Sequence, residues 1–189
     1  AVYSPALTDF VFVVENTSKM FITGPNVIET VLGEKISQEE LGGAKVHAEI
    51  TGNAHFYAKD EKECFQLIQK LLSFLPANNN EQPQTITPQL PKESFNIENI
   101  IPNDPKQPYD VKEIIKAIAD DSDFLEVQAL FAPNIVIGFG RIEGETVGFV
   151  ANQPLYLAGV LDCDSADKAA RFIRFCDSFN IPIITLEDM

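Results

Sequence analysis

The sequence predicts an α/β protein with mixed strands, in two parts that a proline-rich connector joins. Apolar residues keep a helical period from Asp60 to Leu75. The stretch from Ala77 to Pro108 holds six prolines and three consecutive asparagines, a composition that sustains neither a helix nor a central strand. After this stretch, the pattern of a strand hairpin is followed by a helical segment and a continuous apolar strand.

Composition places the chain among globular proteins and narrows its partners. A chain of 189 residues with 45% hydrophobic residues is long enough to bury a core. Its formal net charge of −14 argues against binding to a nucleic acid, because the phosphate backbone would be repelled. Cys64, Cys163 and Cys176 show no CxxC spacing, which predicts buried, reduced thiols in a cytoplasmic protein. No apolar run of ~18 residues is present, so we expect no direct membrane insertion.

The first part of the chain is predicted to hold a strand pair and three helices. Phe10–Glu15 and Met20–Thr23 are rich in Val and Phe and flank a polar turn, which predicts two paired strands. Two short helices follow, each with a capping pair at its start and a closing glycine. These residues are Asn26, Glu29 and Gly33 for the first helix, and Ser37, Glu40 and Gly42 for the second. The segment that holds His47 and His55 is predicted to be extended or irregular, and Asp60 with Glu63 caps the longest helix.

The connector is expected to be extended but pinned at Phe95 and at Ile97, Ile100 and Ile101. After it, Asp110 with Glu113 predicts a short capped helix. Strands are predicted at Phe124–Phe131, Asn134–Arg141 and Thr146–Ala151, with a hairpin turn at Ile142–Glu145. A helix from Asp164 or Ser165 to about Asn180 follows, and then a strand, Ile181–Leu186, whose apolar run is typical of a sheet covered on both sides.

Three segments carry a family resemblance: Glu39–His47, Gly138–Pro154 and Lys168–Leu186. Shorter matches occur at Ala1–Leu7, Phe10–Glu15 and Phe21–Pro25. Together they resemble the carboxyltransferase (beta) subunit of biotin-dependent acyl-CoA carboxylases, in the propionyl-CoA and methylmalonyl-CoA branch. The resemblance covers nearly the whole chain in the family's order, and it identifies the chain as a central fragment of such a subunit.

The resemblance implies a fold of the crotonase (ClpP-like) β-β-α spiral type. Residues 1–76 would be the C-terminal part of the N-terminal carboxyltransferase domain, residues 77–109 the connector, and residues 110–189 the N-terminal part of the C-terminal domain. In relatives, glycines outside both ends of this chain supply the backbone N–H groups of two oxyanion holes. We therefore expect no complete catalytic site in the 189 residues, with Ala1 and Val2 next to the missing glycines.

The resemblance implies five substrate-binding residues: Tyr3, Gly42, Gly43, Ala44 and His47. For the two glycines, a helix end followed by a turn is the alternative, and for His47 we favour a hydrogen-bonded structural role. The histidines lack metal-ligand spacing, so no metal site is expected.

Four basic residues are candidate contacts for coenzyme A. Because CoA is anionic and the chain is acidic, a local cation would have to bind it, and the candidates are Lys45, Arg141, Arg171 and Arg174. For Arg141 we favour a solvated charge at a strand end, and for Arg171 and Arg174 a salt bridge at a subunit interface implied by the family resemblance. Gly138 and Gly140 lie inside a predicted strand, so they do not form a phosphate loop. Asn152, Gln153 and Pro154 are expected to tie off the hairpin.

The implied reaction moves a carboxyl group between carboxybiotin and the α-carbon of a short acyl-CoA such as propionyl-CoA. The cofactor would be biotin carried on a separate protein, and the partners would be the acyl-CoA, the biotin carrier or biotin carboxylase subunit, and further copies in a homo-oligomer. Three alternatives remain open. They are a sodium-pumping methylmalonyl-CoA or glutaconyl-CoA decarboxylase, a non-catalytic folding or interaction fragment, and, in last place, a crotonase-type hydratase or isomerase.

Overall fold

The computed structural model describes residues 2–91, 100–104 and 107–188, and the chain divides into two compact units, Ala1–Gln69 and Lys70–Met189. Phe95 and Ile97 of the predicted connector anchors lie outside the described residues. The unit boundary falls inside a helix, and the domain limits given above stay a prediction. Within the described ranges, no helix combines the length and apolar character needed to cross a membrane.

The first unit contains helices around a two-stranded parallel sheet. The elements are α1 (Tyr3–Ala6), β1 (Phe12–Val14), α2 (Pro25–Leu32), α3 (Gln38–Gly42), α4 (Ala44–Glu49), β2 (Phe56–Ala58) and α5 (Glu61–Phe74), the last of which extends into the second unit. β1 pairs with β2 in parallel, with Val13 opposite Tyr57. Buried small and branched side chains form the core, and they come from β1 and the residue before it, from α4 and from the loop before β2: Val11, Val13, Ala44, Ala48 and Ala54.

Three predictions for this unit are wrong. The predicted strand pair does not form, because β1 takes a partner more than 40 residues away and Met20–Thr23 is not a strand. α2 is capped by Gly24 with Pro25 in its first turn, so Asn26 lies inside the helix. Residues 44–49 form α4 and are not irregular. The capping box of Ser37 with Glu40 is confirmed.

The second unit is built on a four-stranded mixed sheet in the order β3-β4-β5-β6. Its elements are α6 (Val111–Ile118), β3 (Phe124–Val127), β4 (Ile135–Ile142), β5 (Glu145–Asn152), α7 (Cys163–Ser178) and β6 (Ile183–Leu186). β3, β4 and β5 pair antiparallel, and β6 pairs parallel to β5 through the α7 crossover. Aromatic rings from α5, β4 and α7 meet in one cluster: Phe74, Phe139, Phe172 and Phe175.

The hairpin prediction is confirmed, and two other predictions for this unit are wrong. β4 and β5 are joined by Glu143 and Gly144, both with positive φ, as a two-residue hairpin turn requires. β3 is shorter than predicted because Gln128 adopts a φ of 52°, which turns the chain out of the sheet. Among the described residues β6 pairs with β5 alone, and its side chains are partly or largely exposed, whereas the prediction was a strand covered on both faces. β4, β5, α7 and β6 form the expected β-β-α unit and the strand after it.

Candidate functional site

The Gly42–Gly43 segment joins α3 to α4 and is packed against the chain itself. A Cβ on Gly42 would lie 2.1 Å from the carbonyl oxygen of Met20, and a Cβ on Gly43 would lie 2.2 Å from the Glu39 carboxylate. The Gly43 N–H donates to the Glu39 carbonyl at 2.9 Å. Extended backbone at Gly43 ends one helix and begins the next. Both glycines are therefore required by close contacts within the protein.

His47 lies on α4 next to this segment and is 6% exposed. Its Nε2 is 2.6 Å from the Met20 carbonyl oxygen, and its Nδ1 is 3.0 Å from the Thr51 hydroxyl. A carbonyl only accepts, so Nε2 carries the proton, and Nδ1 accepts from Thr51. Both ring nitrogens are occupied by the chain. Within residues 2–91, 100–104 and 107–188, no cluster of His, Cys, Asp and Glu could hold a metal ion.

The structure brings four of the five predicted substrate-binding residues together. Gly42, Gly43, Ala44 and His47 are consecutive parts of one buried corner. Tyr3 stands on α1 and is 60% exposed. Val2 is the residue before α1, and Ala1 lies outside the described residues.

A groove of about 300 Å³ lies beside this corner in the first unit. Its walls include Lys45 and Tyr57 together with four carboxylates, those of Glu15, Glu39, Glu40 and Glu49. Desolvation raises the pKa of the Tyr57 hydroxyl, and a hydrogen bond to the Glu15 carboxylate adds to this. The groove is negatively charged on balance.

Arg141 lies next to the end of β4, as predicted, but it is only partly exposed and its guanidinium is bound by the chain itself. Its guanidinium carbon lies 4.3 Å from the centre of the Phe74 ring, and Nη2 donates to the Ser73 carbonyl at the end of α5. Desolvation lowers the pKa of Arg141, while the nearby carboxylates of Asp123 and Asp120 oppose this shift. The arginine fixes the last turn of α5 against the sheet.

The Asn152-Gln153 pair has the structural role that the sequence predicts. Gln153 is 1% exposed, and its Nε2 donates to the Asp110 carboxylate at 2.7 Å. Its Oε1 accepts from the Val111 N–H at 3.3 Å, so this side chain holds the start of α6. Asn152 Nδ2 donates to the Gly159 carbonyl at 2.7 Å.

Sequence reasoning missed one notable residue, Lys168 on α7. It is 2% exposed although it carries an ammonium group. Its Nζ donates to four backbone carbonyls at 2.7–3.2 Å, those of Gln128, Phe131, Ala132 and Ile135. Burial lowers the pKa of Lys168 to about 8, against the effect of the Glu126 carboxylate. The available signal was its spacing, since Lys168 falls on the same helix face as Phe172 and Phe175.

Comparison with known proteins shows the family. The model of the carboxyl transferase domain matches residues 1–189, and the chain belongs to this family. It is 51% identical to the biotin-dependent acetyl-/propionyl-coenzyme A carboxylase beta5 subunit of Mycobacterium tuberculosis (strain ATCC 25618 / H37Rv), with all of this chain and 36% of the relative aligned. It is 49% identical to the methylmalonyl-CoA decarboxylase subunit alpha of Veillonella parvula, with all of this chain and 38% of that relative aligned.

Among solved structures, the chain matches transcarboxylase 12S, determined with hydrolysed methylmalonyl-coenzyme A bound. The TM-score is 0.93 at 47% identity, over 98% of this chain and 37% of the other. The prediction of a crotonase-like carboxyltransferase fold is thereby confirmed. The chain spans between a third and two fifths of the length of these relatives.

Proposed function

We propose that the protein to which these 189 residues belong transfers a carboxyl group between carboxybiotin and the α-carbon of a short acyl-CoA such as propionyl-CoA. The observation that carries this proposal is the match of the carboxyl transferase family model across residues 1–189. The relatives support the substrate class, because both are named for acyl-CoA substrates.

Biotin supplies the transferable carboxyl group when it is bound, and backbone N–H donors would stabilise the negative oxygen that develops. The Gly42–Gly43 backbone does not fit this role. The space beside each glycine is filled by Met20 or Glu39, and the Gly43 N–H is already bonded. We therefore derive no step through biotin from these residues. The four carboxylates of the groove in the first unit would repel the phosphates of CoA, so we do not assign CoA to it.

For the predicted substrate-binding residues we propose two different roles. Gly42, Gly43, Ala44 and His47 shape the backbone of the first unit from inside, because they are buried and their polar groups contact the chain. Tyr3 is the residue proposed to meet a ligand, because its ring is exposed. Val2 is partly exposed beside it.

The partners and the location follow from the same family proposal. The biotin is proposed to sit on a separate carrier protein, and the assembled enzyme to be a homo-oligomer that meets a biotin carboxylase subunit. The hexamer named for transcarboxylase 12S supports oligomer formation. Free Cys64, Cys163 and Cys176 suit a reducing compartment, and on this basis we propose the cytoplasm. Cys163 is exposed and Cys64 is partly exposed, which differs from the expectation of buried thiols, whereas Cys176 is buried as expected.

A second candidate is the reverse reaction, decarboxylation of methylmalonyl-CoA, which the relative from Veillonella parvula favours.

An assay with several acyl-CoA substrates tests whether the protein is an enzyme of this class or an unrelated one. The intact protein is supplied with carboxybiotin and with acetyl-CoA, propionyl-CoA or butyryl-CoA, and the products are separated by mass. Carboxylation of propionyl-CoA to methylmalonyl-CoA supports the proposal. If none of the three acyl-CoAs gains a carboxyl group, the proposal fails.

The sodium dependence of the intact protein distinguishes the carboxylation of propionyl-CoA from the decarboxylation of methylmalonyl-CoA. A decarboxylase that pumps sodium releases CO₂ from methylmalonyl-CoA in a sodium-dependent manner when the whole complex is assayed in membranes. A carboxylase subunit needs no sodium and takes its carboxyl group from a biotin carboxylase. Sodium dependence of CO₂ release therefore assigns the second candidate, and its absence assigns the first.

A further inference from the structure

The ammonium of Lys168 is enclosed by backbone carbonyl oxygens. Its Nζ lies 3.0 Å from the oxygen of Gln128, 2.7 Å from that of Phe131, 3.2 Å from that of Ala132 and 2.9 Å from that of Ile135. We call these four oxygens the carbonyl cage. An ammonium has three protons, so the four acceptors must share them. The contact is therefore one between a positive charge and four carbonyl dipoles rather than a set of separate hydrogen bonds. The side chain is 2% exposed, so water contributes little to its solvation.

The loop that supplies the cage has an unusual backbone. Gln128 and Ala132 have φ values of 52° and 43°, a region that side-chain-bearing residues rarely adopt. Four peptide dipoles that point at one spot also repel one another unless a positive charge lies between them. The attraction between the cation and the carbonyls thus offsets two costs, the unfavourable backbone conformation of the loop and the repulsion between its peptide dipoles.

The charges around Lys168 indicate that the carbonyl cage, rather than a carboxylate, stabilises its ammonium. The carboxylate of Glu126 raises the pKa of Lys168 against the effect of burial, but this carboxylate pairs with the Lys112 ammonium at 3.3 Å. Lys168 is therefore stabilised mainly by carbonyl dipoles, as a potassium ion is in a filter of backbone carbonyls that replace its hydration shell.

The cage is connected to a second, apolar loop. The Asn134 carbonyl accepts from the Gln153 N–H at 3.0 Å, and Asn134 Nδ2 donates to the Val160 carbonyl at 2.9 Å. Between them, Tyr156 and Leu157 are 49% and 66% exposed. The conformation of the cage loop therefore influences where this exposed loop lies.

We propose that the carbonyl cage is a monovalent-cation site whose resident ligand is the Lys168 ammonium, and that the emptied site accepts free primary alkylammonium ions. The inference does not depend on the carboxyltransferase proposal. It makes Lys168 a positioning residue for the loop of residues 128–135 and, through Asn134, for residues 153–160.

Chemical rescue tests this proposal in the intact protein. Lys168→Ala removes three methylenes and the nitrogen, and n-propylammonium has the same atoms. Lys168→Met fills the space of the lysine side chain with an apolar chain and leaves no room for the rescuing ion. Thermal unfolding is followed with each protein in n-propylammonium chloride, tetramethylammonium chloride or 1-propanol. Tetramethylammonium carries charge without N–H donors, and 1-propanol has the shape without the charge.

We expect both variants to unfold about 10 °C or more below the parent, because the emptied carbonyls stay buried. At ten times its dissociation constant, n-propylammonium should raise the midpoint of Lys168→Ala by roughly 3–5 °C. It should leave the parent and Lys168→Met unchanged, and the other two additives should have no specific effect. Cleavage of the loop at residues 153–160 by a protease should rise in both variants and fall again on rescue in Lys168→Ala only.

Three results would overturn the proposal. They are an unchanged midpoint in Lys168→Met, an equal n-propylammonium shift in all three proteins, and an equal rescue by 1-propanol. If Lys168→Ala does not fold, it is refolded with and without n-propylammonium. Recovery only with the ammonium supports the cage, whereas failure in both conditions counts against it. As a test on the parent protein, reductive methylation should modify Lys168 last among the lysines, and early modification would contradict its burial.

Discussion

The Oδ2 atom of Asp120 accepts a hydrogen bond of 2.7 Å from the backbone N–H of Gly144. Its Oδ1 accepts from the Glu143 N–H at 3.1 Å, so one carboxylate binds both residues of the β4–β5 turn. Asp120 is 9% exposed, and both donors are pre-positioned by the hairpin. The turn is thus held by a charge from outside the hairpin.

Replacing this carboxylate should destabilise the protein. Asp120→Ala leaves two backbone N–H groups without their charged acceptor, which costs about 2–3 kcal/mol of unfolding free energy. Asp167→Ala, at an exposed position on α7, is the matched control and should change stability by less than about 0.5 kcal/mol. Urea unfolding of both variants measures the difference. Equal losses in the two variants would show that the turn does not need Asp120.

Two glycines with similar backbone conformations allow the cost of left-handed backbone strain to be measured separately from the cost of a steric contact. Gly144 has a φ of 82°, and a Cβ there would lie 2.0 Å from the carbonyl oxygen of Ile86. Gly33 has a φ of 73° at the end of α2, and a Cβ there would meet no atom within 4 Å. Gly33→Ala should therefore cost only the left-handed strain, about 1–2 kcal/mol, and Gly144→Ala distinctly more. The comparison of their unfolding midpoints tests this, and equal losses would contradict the contact with Ile86.

The cysteines should differ sharply in reactivity. Cys163 is exposed at the start of α7, whereas Cys176 is fully buried and burial raises its pKa to about 12. Iodoacetamide at pH 8 should label Cys163 within minutes and Cys176 only after unfolding, as peptide mass spectrometry would report. Labelling of Cys176 at the rate of Cys163 in the folded protein would refute its burial.

The same thiol also makes stability depend on pH. Its ordinary pKa is near 9, so between pH 9 and 12 the folded state holds a proton that the unfolded state has lost. The contribution is fully present below pH 9 and falls as pH rises towards 12. Cys176→Ala should flatten this part of the pH profile, with Cys163→Ala as the control that leaves it unchanged.

Sequence patterns predict those elements whose stabilising contacts are local. The Ser37–Glu40 capping box and the Glu143–Gly144 turn each lie within four residues, and both are found where they were predicted. The partner of β1 lies 44 residues further along the chain, so no local pattern indicates it. The sequence predicts that a helix ends at Gly42, and α3 does end there, but the extended Gly43 also begins α4, so His47 lies in a helix.

In the candidate site, too, local roles can be predicted from the sequence, whereas contacts between residues far apart in the chain cannot. The structural role of Gln153 was predicted from its place at a strand end, although its bond to Asp110 is long-range. Local sequence does not indicate the burial of Lys168, because this burial depends on carbonyls that a loop more than 30 residues away presents. Sequence spacing shows that Lys168 shares a face with apolar residues, and only the fold shows what fills that face.

The roles proposed for His47 and Tyr3 lead to opposite predictions. His47→Ala leaves the Met20 carbonyl without its donor and should cost about 2–3 kcal/mol of stability, while Thr51→Val should cost about 1 kcal/mol. Tyr3→Ala should leave stability unchanged, because the ring is exposed, and raise KM for the acyl-CoA several-fold in the intact protein. Thermal unfolding and initial rates on the same preparations test both. A KM change in His47→Ala at unchanged stability would reverse the two assignments.

The carboxyl transfer itself is tested most directly in the reverse direction. The intact protein is mixed with methylmalonyl-CoA and free biotin, and propionyl-CoA is measured by chromatography over time, with a reaction lacking biotin beside it. Membership of the carboxyl transferase family predicts propionyl-CoA formation that requires biotin and saturates with methylmalonyl-CoA. Propionyl-CoA formation at the same rate without biotin, or none with it, would contradict the proposed activity.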